Sequence, residues 1–120
     1  MRATVALLCP DLLFGSRVEG ALQAAGHEVD RVGSAAAARE AAAGARVLVV
    51  DLTDEAAERT GAVARLRAEG ALGGARVLGF YSHVERDVRV AAEAAGFDQV
   101  VPRSRMAREG AALVEGLAAR

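Results

Sequence analysis

The run Val47-Leu48-Val49-Val50-Asp51 constrains this chain more than any other stretch. Consecutive aliphatics without polar alternation read as a strand covered on both faces, the habit of parallel sheets packed between helices. The run ends on a carboxylate. In open parallel sheets, ligands and chemistry gather at the carboxyl ends of the strands, so Asp51 stands where such a fold keeps its site.

The flanking segments fit the same plan. Thr4 to Leu8 reads as a first buried strand, which Cys9-Pro10-Asp11 turns because proline cannot continue a central strand. Residues 11 to 25 read as a helix capped by Asp11, with Leu12, Leu13, Val18, Ala21, Leu22 and Ala25 as its apolar stripe and Gly26 as a left-handed stop. His27 to Val32 is a more charged strand, suited to a sheet edge, with His27 in solvent. Ser34 caps an alanine-rich helix that ends at Gly44. After the central strand, Thr53-Asp54-Glu55 opens a third helix with Val63 and Leu66 facing inward, and residues 71 to 75 form a flexible connector. Arg76 to Phe80 is a fourth strand; Ser82 and Glu85 have the spacing of a capping box for a fourth helix. Asp98 to Val101 is a fifth strand, followed by a last helix with Met106, Leu113, Val114 and Leu117 inward. Strands alternating with helices through short turns, under the right-handed crossover rule, predict a flavodoxin-like α/β sandwich. Its five-stranded parallel sheet takes the order 2-1-3-4-5 and carries five helices.

Composition removes several function classes. At 120 residues the chain is expected to be one domain, residues 1–120, with no output domain. A net charge of −1 supplies no basic field for nucleic acid, and no apolar run reaches the length of a membrane span, so neither partner is expected. The single cysteine, Cys9, excludes an internal disulfide and suits a reducing, cytoplasmic setting. The chain contains no lysine. The adjacent glycines Gly73 and Gly74 precede a strand instead of opening a helix, so they do not make a phosphate loop.

The predicted order brings four turns to one cleft: Cys9-Pro10-Asp11, Asp51-Leu52-Thr53, Tyr81-Ser82-His83 and Pro102-Arg103-Ser104. Here the chain resembles a response-regulator receiver domain. The resemblance rests on VLVVDL at 47–52, AAGHEV at 24–29, VLGFYSHVE at 77–85 and AAGFDQVVPRS at 94–104. It implies that Asp51 occupies the phosphoacceptor position. Attack of a carboxylate on a phosphoryl group brings anions together and needs a dication and a fixed positive charge. The family holds the dication with two acidic residues after the first strand. Those positions here are Cys9 and Pro10, a thiol and an imide ring, which are not ligands for a hard ion; Asp11 is one residue beyond. The family's lysine after the fifth strand falls on Arg103, a planar cation in place of a point charge, and the expected partner of Asp51. The hydroxyl switch residue falls on Tyr81, or on Ser82 if one gap is allowed, and Ser104 reads as a helix cap.

The expectation is therefore a stand-alone degenerate receiver, a pseudo-receiver. It acts as a non-enzymatic protein-interaction module with no metal and no cofactor, magnesium included. By resemblance, its partner protein or second copy would dock on residues from about 84 to 119. The alternative is an active phosphoreceiver of a two-component system, modified at Asp51. A lower one is a small-ligand binder on the same fold. Cys9, His83 and Asp51 as a soft metal site have no recognised ligand spacing.

Overall fold

The computed structural model describes residues 2–82 and 86–120. In chain order the elements are β1 (Thr4–Leu8), α1 (Leu12–Ala24), β2 (Glu28–Val32), α2 (Ala35–Ala43), β3 (Val47–Asp51), α3 (Ala56–Ala68), β4 (Arg76–Tyr81), α4 (Arg86–Ala94), β5 (Gln99–Pro102) and α5 (Arg103–Ala118). The strands pair in parallel in the order β2-β1-β3-β4-β5. This is the flavodoxin-like arrangement the apolar runs predict.

The central strand is buried along its whole length, and its residues alternate between two cores. Val47 and Val49 join Val5, Leu7, Leu78, Phe80 and Val101 beneath α1 and α5. Leu48 and Val50 join Ala6, Leu8 and Val77 beneath α2, α3 and α4. The inward faces of α3 and α5 are as expected, with Val63, Leu66, Met106, Leu113, Val114 and Leu117 all buried.

Helix α1 departs from its predicted stripe. Leu12 and Leu13 are 74% and 86% exposed, and Ala21 and Ala25 are also on the surface. The buried set is Phe14, Gly15, Val18 and Leu22. Gly15 fits the rotation: a Cβ there would stand 3.1 Å from the Cys9 carbonyl, a tight contact that glycine spares where α1 lies against the β1 tip. Asp11 caps the helix through Phe14 N–H (3.0 Å) and Ser34 caps α2 through Ala37 N–H (3.2 Å), as the sequence predicts. Gly26 takes the left-handed conformation (φ 96°) after α1.

His27 is buried, not solvated. Its Nδ1 accepts the Ala3 N–H at 3.0 Å, so Nε2 carries the ring proton and donates it to Glu115 Oε2 at 3.0 Å. The imidazole thus ties the start of β1 to α5. Nearby, Arg46 donates to the Ala118 carbonyl. Helix α3 begins at Ala56, later than predicted, because Glu55 adopts a left-handed φ of 47°. The 71–75 connector is pinned by Leu72, which is buried with the α3 core. Ser104 lies inside α5, whose N-cap is Pro102 without a side-chain cap. The proposed Ser82–Glu85 capping box falls partly outside the described residues. Among those residues no helix is long and apolar enough to cross a membrane.

Candidate functional site

The parallel register fixes what meets at the carboxyl ends of the strands. Leu8 pairs with Val50, so the next residues, Cys9 and Asp51, are neighbours. Asp51 pairs with Phe80, and Tyr81 with Pro102. Asp51 is 2% exposed. Its Oδ1 accepts the Thr53 N–H at 2.8 Å and the Thr53 hydroxyl at 2.5 Å, a turn that ends the strand. Its Oδ2 accepts the Cys9 thiol at 3.5 Å and lies 3.8 Å from the Arg59 guanidinium. The same Arg59 Nη1 donates to the Asp51 carbonyl at 2.9 Å.

Burial pushes the Cys9 thiol up to about 12, reinforced by the negative charge of Asp51 and by the hydrogen bond the thiol gives it. Cys9 is therefore a neutral donor at any physiological pH. As a protonated thiol it is a poor nucleophile.

The other predicted positions spread apart. Pro10 is exposed, and Asp11 has its Oδ1 committed to the amino end of α1. Arg103 lies 4.2 Å above the Phe14 ring centroid as a cation–π stack. The guanidinium against Asp51 is that of Arg59 instead. Tyr81 turns to the opposite face and packs with Leu52, Ala92 and Phe97. Ser82 is half-buried and lines an open cleft of 430 Å³ with Phe14, Arg17, Arg103, Ser104 and Ala107. Asp51 is not part of that lining. His83 lies outside the described residues, and with it the imagined Cys9–His83–Asp51 site.

Arg59 is the residue that reading the sequence missed. The signal was present: Arg59, Val63 and Leu66 share the i, i+4, i+7 spacing of the inward face of α3.

Magnesium asks for oxygen ligands in near-octahedral array. The β1 tip offers a thiol and a proline ring, and Arg59 holds a positive charge beside the one available carboxylate. These residues do not fit the ion. Among the described residues no three His, Cys, Asp or Glu side chains come together as a metal site.

No protein-family model matches the sequence, and no curated protein matches it. Solved structures match its fold closely. The receiver domain of the Francisella response regulator 1452 superposes with a TM-score of 0.84 at 13% identity, covering 98% of both chains. A response regulator from Thermotoga maritima gives 0.81 at 16%, covering all of both chains. The receiver domain of TorR, the response regulator of the TMAO respiratory system, gives 0.81 at 16%, over 95% of this chain and 94% of that one. The chain has the response-regulator receiver fold.

Proposed function

We propose that this receiver-fold chain is a signalling module that works through protein contacts, without metal-dependent phosphorylation of Asp51 and without enzymatic activity. The observation that carries this reading is the state of the Asp51 carboxylate. It is buried, and both oxygens already accept from donors of the same chain, Oδ1 from Thr53 and Oδ2 from Cys9. Phosphoryl transfer to a carboxylate needs an oxygen free for in-line attack and cations to gather the transferring charge. Here the carboxylate is buried, and Cys9 and Pro10 bring no second carboxylate to hold a dication, while the nearby Asp11 caps α1.

A contact surface within residues from about 84 to 119 remains the proposed docking face. Val90 on α4 supports it as an exposed large apolar side chain, 55% accessible. Phosphoryl acceptance is the competing reading, and the position of Asp51 at the tip of β3 speaks for it. The two are separated by incubating the protein with acetyl phosphate, or with beryllofluoride, in the presence of magnesium. The expected result is no added mass and no spectral change. A phosphoryl adduct on Asp51 would refute the proposal.

A further inference from the structure

We propose that Arg59 is the resident counter-cation of Asp51, a side chain in the role of a bound dication, which holds the strand tip in one charge-compensated state that magnesium does not alter. This rests on the reading above that the site works without metal, and it names the group that makes it so.

An arginine buried on an apolar helix face is costly unless its charge finds a partner. Asp54, Glu55 and Glu58, all close in sequence, are exposed. Arg59 instead reaches inward and places one Nη1 against two acceptors of a single residue, the Asp51 carbonyl at 2.9 Å and Oδ2 at 3.8 Å. The backbone is shaped for this. Glu55 is the one non-glycine residue with positive φ among those described, and its carbonyl accepts the Arg59 N–H at 3.0 Å as the first helical bond of α3. A left-handed conformation at a residue with a side chain is unfavourable, and here it sits at the step that aims the helix at the strand tip.

The charge balance follows. One carboxylate and one guanidinium, both largely buried, sum to zero. A dication bound at Oδ2 would meet the guanidinium at close range, so ion and arginine exclude each other. Arg59 is a positioning residue. It fixes the carboxylate without reacting.

The test compares the wild type with Arg59→Lys and Arg59→Gln by urea unfolding, with and without magnesium chloride, and by manganese line broadening around residue 51. Wild type and Arg59→Lys are expected to ignore the ion. Arg59→Gln is expected to unfold at lower urea and to regain stability with magnesium. One carboxylate alone binds weakly: at a Kd of roughly 20 mM, roughly 20 mM ion raises the folded-to-unfolded ratio about 2-fold. If Arg59→Gln does not fold, the Asp51→Asn/Arg59→Gln double variant is expected to recover, since neither charge is then left alone. An Arg59→Gln protein as stable as wild type and indifferent to magnesium overturns the inference, as does a double variant worse than either single change. A wild type that itself binds magnesium or takes up phosphate overturns the proposed function instead.

Discussion

Replacing Cys9 with aspartate puts the electrostatics of the strand tip to a direct test. The thiol sulfur lies 3.5 Å from Asp51 Oδ2, so the new carboxylate would stand at about that distance. At an effective dielectric of about 20, two like charges so placed repel by about 5 kcal/mol. The pair can escape by keeping one proton. Holding it at pH 7 on a group of ordinary value near 3.9 costs about 4 kcal/mol. The cheaper route wins, so the expected loss is about 4 kcal/mol, less whatever Arg59 recovers. Domains of this kind are stable by roughly 5–15 kcal/mol in total, so the variant would be close to unfolding. The penalty should fade as pH falls toward about 4, where the unfolded chain also binds the proton. Magnesium should reverse it at pH 7 only in the Cys9→Asp/Arg59→Gln double variant, where two adjacent carboxylates supply the ligands and no guanidinium stands beside Oδ2. Urea unfolding at pH 7 and 5, with and without magnesium, reads all three effects. Cys9→Asn, matched in size but uncharged, isolates the charge. A Cys9→Asp protein within about 0.5 kcal/mol of Cys9→Asn at pH 7 without magnesium would refute the reasoning.

Other outcomes follow from the same contacts. The folded state holds the Cys9 proton to about 12, against 9.0 for the free group. Stability that is whole below pH 9.0 is therefore lost as pH climbs through that window, by up to about 1.4 kcal/mol per pH unit relative to Cys9→Ala. Denaturant unfolding of the two proteins across this range checks it. His27→Ala leaves the buried Ala3 N–H without its acceptor and should cost about 2–3 kcal/mol in thermal or urea unfolding. Glu55→Gly at the φ 47° position should leave stability unchanged or raise it by up to about 1 kcal/mol; a clear loss would show that the turn is unstrained. Leu12→Gln and Leu13→Gln, at 74% and 86% exposure, should each stay within about 0.5 kcal/mol of wild type.

What was legible in the sequence was what depends on neighbours along the chain. The unbroken aliphatic run of β3, the capping side chains of Asp11 and Ser34, and the left-handed Gly26 are local signals, and each fixes an element or its end. What escaped depends on residues far apart. His27 reads as a surface histidine because its partners, Ala3 and Glu115, lie 24 and 88 positions away. The stripe of α1 was misjudged because Gly15 draws the helix in by its lack of a side chain, and the apolar leucines before it swing out. At the site, Asp51 and the unsuitability of Cys9 and Pro10 could be argued from residue type alone. The partner of the carboxylate could not. Arg103 was the expected cation after β5, but the Phe14 ring lies within stacking distance. Arg59 comes from the helix after β3, where only its spacing with Val63 and Leu66 hinted at an inward path.

The His27 and Arg46 tethers hold Ala3 and Ala118, near the first and last described residues, at the end of the sheet where the strands begin. A strand of five residues is roughly 16 Å long, so an affinity handle attached beside either tether starts about that far from Asp51. Protein captured on a sensor chip by either end would turn its strand tips outward. Capture next to Ala118 would crowd the far end of α5, inside the proposed docking face, so the amino end is the mount that leaves both surfaces open.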